Sequence, residues 1–203
     1  MDVPFLSYDQ LKADAANVLS QSRYVDRFPV AIELIVEQDF EMDVVPIRGL
    51  QTAFNIDAFI SRDMTTISVD EFVLENRLNR YRFSLAHELG HRVLHREILR
   101  EMEYETIEEW KSQIIEFPEK QYGFLEYQAN TFANCPLLPP KPLDRSFDLA
   151  VEKIRAAGLN PAVFTDGCLD SIATGLGKQF EVSRDVVLNR LTNKHENSQS
   201  RLC

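Results

Sequence analysis

The stretch Leu78-Asn79-Arg80-Tyr81-Arg82-Phe83-Ser84-Leu85-Ala86-His87-Glu88-Leu89-Gly90-His91-Arg92-Val93-Leu94-His95 decides how this chain is read. It holds no proline and a single glycine, and Phe83, Ala86, Gly90, Val93 and Leu94 recur at helical spacing, which predicts a helix over residues 78–100. His87 and His91 stand four residues apart, so both imidazoles leave one face of that helix, one turn apart. Two nitrogen ligands are thereby aimed at one point. Glu88, beside the first histidine, is placed to take a proton from water activated there without being a ligand itself. A decorative histidine pair would more often fall on an exposed or irregular segment. Here Ala86, Leu89 and Gly90 are small or apolar, and three of the four histidines fall within nine residues.

A catalytic metal of this kind needs a third protein ligand while keeping one position open for water. The metzincin pattern, with glycine three residues after the second histidine and a further histidine three beyond, meets Leu94 and Glu97 instead and is excluded. His95 follows His91 by four residues, but eight residues of straight helix turn it about 80° away from His87. His95 is therefore expected to line the cleft or end the helix face. A glutamate from a later helix is the alternative. Among the many acids from Glu97 onward, Glu126 has the fitting setting, because it shares a face with Ala129, Asn130 and Ala133 at spacings of three, four and seven. Small residues there let a second helix approach the first at Gly90. Asn130 can hold a ligand histidine by its other ring nitrogen, which fixes tautomer and orientation.

Outward from these helices, residues 8–19 read as an amphipathic helix, and Pro29 opens a second through residue 38. A strand is expected at 43–47. Strands at 58–61 and 65–69 flank the turn residues Arg62-Asp63-Met64 as a small hairpin or meander. Downstream, the acid-rich 97–109 reads as a solvated face, 106–117 as a helix stopped by Pro118, and 122–134 as a helix ended by Pro136. Four prolines within 136–142 mark a domain boundary. Beyond it come helices at 147–157, stopped by Gly158, at 166–176, and at 184–191 behind the N-cap Ser183, then a polar, frayed tail at 193–203.

Composition restricts the classes. The chain has 203 residues, 44% hydrophobic and 27% charged, with 13 Phe, 6 Tyr and 1 Trp, enough for a core and against disorder as the main state. Its net charge of −10 works against duplex DNA binding. Residues 166–191 could pass for a helix-turn-helix, but Asp166, Asp170, Glu181 and Asp185 against Lys178, Arg184 and Arg190 make a poor phosphate-binding face. Cys135, Cys168 and Cys203 are odd in number and far apart, which fits neither a disulfide framework nor a Cys-x-x-Cys site. Cys135 and Cys168 are expected to be buried, Cys203 loose. No export signal and no membrane-length apolar run appear, so a cytoplasmic protein without a membrane partner is expected.

Arg82 through His91 with Leu94-His95, then Glu126-x-x-Ala129-Asn130-x-Phe132-Ala133 and Leu138-Pro139, resemble the ImmA/IrrE family of metallo-endopeptidases. Val45-Pro46-Ile47, residues 65–70, Phe180-Glu181-Val182-Ser183 and residues 187–191 extend the likeness over most of residues 30–192. The resemblance implies an α+β fold: a helix-rich zincin-like peptidase core with a small, mainly antiparallel sheet at residues 1–140, the first 28 an unanchored helical extension, followed by a C-terminal helical subdomain at 141–203. It implies Zn2+ held by His87, His91 and Glu126, with Mn2+ or Fe2+ as other occupants, and Glu88 as catalytic acid/base. It further implies a protein substrate, a cytosolic helix-turn-helix repressor of the XRE type whose cleavage releases stress or mobile-element genes. The donor that would share the oxyanion stays open among His95, Tyr81, Tyr122 and Tyr127. The competing reading is a regulatory protein that docks on a repressor without cutting it, or part of a toxin-antitoxin-like module.

Overall fold

Ser7 opens the first helix, α1 (Tyr8–Gln21), with a reciprocal cap: its side chain accepts from the Gln10 N–H while the Gln10 side chain returns to the Ser7 backbone. The computed structural model describes residues 2–104, 106–162 and 165–192. α1 buries Tyr8, Leu11, Ala15 and Val18 and packs on a long later helix, α8 (Glu119–Leu137). The residues before it run along α8 as well, the Val3 N–H donating to Gln121 Oε1 at 2.7 Å.

After α1 comes a short helix, α2 (Ile32–Leu34), continued by a widened turn over Ile35–Asp39. The expected start at Pro29 is thus displaced by three residues, because the Val30 carbonyl is taken by Arg82 Nη2 at 2.5 Å and the chain coils only beyond it. Three strands follow, β1 (Asp43–Ile47), β2 (Ala58–Ile60) and β3 (Thr66–Asp70), in the order β1-β3-β2. The β2–β3 hairpin is antiparallel as expected, but β1 runs parallel to β3, so the sheet is mixed rather than mainly antiparallel. The reason is geometric: the chain crosses from β1 through α3 (Leu50–Phe54), comes back along the outer strand β2, and reverses again into the central β3. Two reversals restore the first direction. Asp70 secures the crossing from inside, its carboxylate accepting from the Gln51 N–H at 2.9 Å and capping α4 (Glu71–Asn76) at the Val73 N–H at 3.1 Å. Neither α3 nor α4 shows in the periodicity, each being shorter than two turns.

The decisive helix is α5 (Leu78–Leu94). It ends at His95, and a separate α6 (Arg96–Arg100) continues beyond. The expected single helix to residue 100 is broken because the His95 side chain is fully buried and bonded at both ring nitrogens, with its backbone out of helical geometry. α7 (Ile107–Glu116) follows with Thr106 as its cap. α8 runs through Pro136, which sits in its last turn and does not end the helix early. α9 (Pro140–Ala156), α10 (Thr165–Phe180) and α11 (Arg184–Thr192) complete the described chain. α5 and α8 are the most extensively paired helices. Between them and the sheet lies the core, in which Leu85, Ala86, Leu89, Phe132, Ala133 and Ile67 are fully buried. The apolar cluster continues without interruption from Val3 to Leu191. Cys135 and Cys168 are buried, and the expectations for Cys203 and the tail at 193–203 lie outside the described residues.

Candidate metal centre

Gly90 lets α5 and α8 come close. A methyl group there would stand 3.1 Å from Phe132 Cδ1 and 3.3 Å from the Ala129 backbone, so the absence of a side chain sets the helix separation. At that separation His87, His91 and Glu126 converge: one ligand atom from each falls within 4.8 Å of the others. His87 Nε2 and His91 Nε2 are 3.0 Å apart, and the two Glu126 oxygens lie 3.4 and 3.5 Å from them. Ligands about 2.0–2.1 Å from a tetrahedral ion stand about 3.3 Å from one another, so the spacing of this donor set fits a divalent ion such as zinc.

The other ring nitrogens are occupied. His87 Nδ1 lies 3.2 Å from Asn130 Oδ1, and His91 Nδ1 lies 3.0 Å from His95 Nδ1. His95 Nε2 in turn meets Gln128 Oε1 at 2.9 Å, and Gln128 Nε2 donates to the Pro4 carbonyl at 2.8 Å. That last bond settles the amide orientation, since the NH2 group is committed to Pro4 and the oxygen must face His95. Burial, followed by the nearby His91, pushes His95 down to about 4, so it is neutral near pH 7 and has one N–H. It donates that N–H to Gln128 and accepts from the His91 Nδ1–H, so that His91 Nε2 faces the centre and would offer its lone pair to an ion there. His95 is therefore neither a ligand nor a cleft-lining group; it lies behind the centre. Gln128 escaped the sequence reading, although its position with Leu125, Ala129 and Phe132 on the buried stripe of α8 is a signal: a polar residue in a core register needs a partner.

Glu88 is buried and raised above the ordinary carboxylate range, chiefly by burial; His87, His91 and the Ile60 N–H pull it back, while Glu126 adds to the rise. Burial opposes charge on Glu126 too, but the hydrogen bonds from His87 and His91 hold it well below the usual range. For His87, burial works against the charged form, yet the bond to Glu126 and the charges of Glu88 and Glu126 outweigh it and raise the group.

The cleft over these residues has a volume of about 90 Å³, walled by Ala58, Phe59 and Ile60 of β2, Trp110 and Ile114 of α7, and Tyr122 of α8. In the β2–β3 register Phe59 pairs with Ser68, and the flanking bonds run from the Asp70 N–H to Asp57 and from the Ser61 N–H to Thr66. Ala58 and Ile60 therefore turn their backbone groups away from β3, Ile60 toward Glu88 and the Tyr104 hydroxyl. Of the four residues weighed as oxyanion donors, Tyr122 lines the cleft, while Tyr127 is exposed and His95 is buried behind it. Tyr81 is not among the residues lining it.

In the α10–α11 pair, Arg184 is engaged by Asp170 and Asp185, and Arg190 is buried against Tyr8 and Cys135. No helix among the described residues is long and apolar enough to cross a membrane. A family model described as the IrrE N-terminal-like domain, Peptidase_M78, matches residues 73–192. No curated protein matches the chain.

Proposed function

The chain belongs to the IrrE N-terminal-like, M78 peptidase family, and from that premise we propose that it is a metal-dependent endopeptidase whose ion is held by His87, His91 and Glu126 and whose acid/base is Glu88. The observation that carries the reading is the convergence of two imidazole nitrogens and one carboxylate beside a buried glutamate that is not part of the donor set. When bound, the ion, zinc first and Mn2+ or Fe2+ as other occupants, would activate water near neutral pH and polarise the scissile carbonyl. Glu88, kept basic enough by its burial, takes the proton of the attacking water and returns it to the leaving amine. Tyr122, one turn before Glu126, is held protonated by burial and by Glu126, and is suited to donate a hydrogen bond to the developing oxyanion. The outward backbone groups of Ala58 can receive an extended peptide along the free edge of β2.

The substrate in this reading is a cytosolic helix-turn-helix repressor, supported by the family resemblance of the two motifs. Residues 1–140 carry the peptidase unit, and the helices from 141 onward form the subdomain that covers it.

Purified without chelators, wild type and Glu88→Gln are expected to carry about one metal per chain by mass spectrometry, and Glu126→Ala little, as for a site of three protein ligands. Glu88→Gln should lower cleavage of repressors encoded by neighbouring genes by about 10²–10⁴-fold, the usual contribution of a general base. Undiminished cleavage by Glu88→Gln would remove the acid/base assignment. Wild type without metal even after zinc addition would favour the docking protein instead.

A further inference from the structure

Beside the metal cleft lies a second, larger groove of about 740 Å³, and the two share walls at Phe59 and Tyr104. Its floor continues from β2 through Ser61 and Arg62, and Arg100 stands on its other side. A chain paired at Ala58 and running on past Ile60, whose backbone groups serve Glu88 and Tyr104, would pass from one cavity toward the other. The groove's charge is opposite to that of the molecule. In a chain of net charge −10, Arg62 and Arg100 both line it, and neither is ion-paired with a described carboxylate; the Arg62 Nε–H donates to the Arg100 carbonyl at 3.4 Å. In the last turn of α5, Arg92 Nε is buried without a hydrogen-bond partner. Asp63, the acid on the groove wall, is committed to its own turn: Oδ1 accepts from Ser61 Oγ at 2.6 Å, Thr65 Oγ1 at 2.8 Å and the Thr65 N–H at 3.1 Å. Among the described residues that line the groove, two cations thus face one acid.

We propose that this groove is a specificity site for the peptide being cut, taking an aspartate or glutamate side chain of the substrate between Arg62 and Arg100. The inference rests on the peptidase reading above and adds the chemistry that selects among peptides. Two exposed guanidinium groups, Arg62 keeping its Nη donors while its Nε serves the Arg100 carbonyl, favour a carboxylate, which can be gripped at both oxygens. The apolar walls at Phe59 and Ile107 suit the stem of one side chain. A nucleic acid would have to bring a run of phosphates against an otherwise acidic surface.

The test uses the full chain carrying Glu88→Gln, so that bound peptide is not consumed, with a fluorescein-labelled decapeptide of alternating alanine and glutamate and its glutamine counterpart as probes. By fluorescence polarisation at low salt, the glutamate peptide should bind about tenfold tighter than the glutamine peptide, the range of a charge-assisted bidentate contact. Adding Arg62→Gln and Arg100→Gln, both exposed positions, should bring the two peptides within about twofold, with thermal melting and metal content unchanged. Equal binding of the two peptides would overturn the proposal, as would a preference that survives the double substitution, or a labelled oligonucleotide of equal charge binding as tightly. In a second arm, wild type digests a proteome-derived peptide library, with acidic residues expected at a fixed distance on one side of the cut and that enrichment lost in the double variant. Cuts without acidic enrichment would also overturn it. A library left uncut would count against the peptidase reading, and the binding arm would then decide the groove on its own.

Discussion

Gln128 is the residue on which the orientation of His91 depends. It is 1% exposed, and its two amide ends do different jobs: the NH2 group is spent on the Pro4 carbonyl, and the oxygen accepts from His95, which in turn accepts from His91. Without Gln128, His95 could present either ring nitrogen, and nothing would hold the His91 proton on Nδ1. Gln128→Leu keeps the volume and removes both bonds. We predict that it weakens zinc affinity about 10- to 100-fold, the usual cost of losing a group that orients a ligand, measured by competition with a chelating dye. Affinity unchanged from wild type would show that His91 needs no such support. The His87–Asn130 contact could be anticipated because both partners lie at readable helical spacings. The route through Gln128 could not, since it depends on α5 breaking at His95, a tertiary event without a local sequence signal.

At the scale of elements, the spacing between α5 and α8 sets the centre, and Gly90 sets the spacing. A side chain there would meet Phe132, fully buried, and the backbone of Ala129, which cannot move aside as a flexible tip would. Glycine is otherwise a weak helix former, so valine gains slightly in propensity, by roughly 0.3 kcal/mol. Overpacking a filled core costs about 1–3 kcal/mol, and it wins. Gly90→Val is therefore expected to lose about 1–3 kcal/mol in urea unfolding and, by spreading the donor set, to bind metal less tightly. A variant as stable as wild type would show that the interface can relax. The helix carrying His87 and His91 and its partner are legible because each is long, and the three strands because short apolar, β-branched runs stand between turn residues. The parallel pairing of β1 with β3 is not, because it follows from the path through α3, five residues without a distinctive period. Pro136 misleads for a related reason: a proline in the last turn forfeits one bond, and the buried Cys135, Pro136 and Leu137 hold that turn in place.

At the scale of the whole molecule, Arg82 ties the start of α2 and the turn between α10 and α11 to α5. It lies on α5 five residues before His87 and is 4% exposed. Nη1 meets the Glu33 carboxylate at 2.8 and 3.0 Å, Nη2 donates to the Val30 carbonyl at 2.5 Å, and Nε donates to the Glu181 carbonyl at 3.2 Å. Glu181 occupies the turn between α10 and α11, so one side chain spans three parts of the fold. Asn79 adds a second tie, to the Val182 carbonyl at 3.0 Å. Alanine at position 82 would leave the Glu181 carbonyl without its donor, the Val30 carbonyl with the Ile32 N–H alone, and Glu33 without its counter-charge. The Glu181 carbonyl costs about 1–3 kcal/mol if it stays dry, and the Val30 carbonyl less. Glu33 keeps 27% of its side chain in water, so its share is smaller than that of a fully buried ion. The expected loss for Arg82→Ala is about 2–4 kcal/mol in denaturant unfolding. Lysine should not restore it, since one ammonium cannot reach three acceptors that diverge as the guanidinium fork does. Recovery by Arg82→Lys to within about 1 kcal/mol of wild type would mean that charge alone carries the tie, on the scale of an ordinary ion pair, and that the two carbonyls find water in its place.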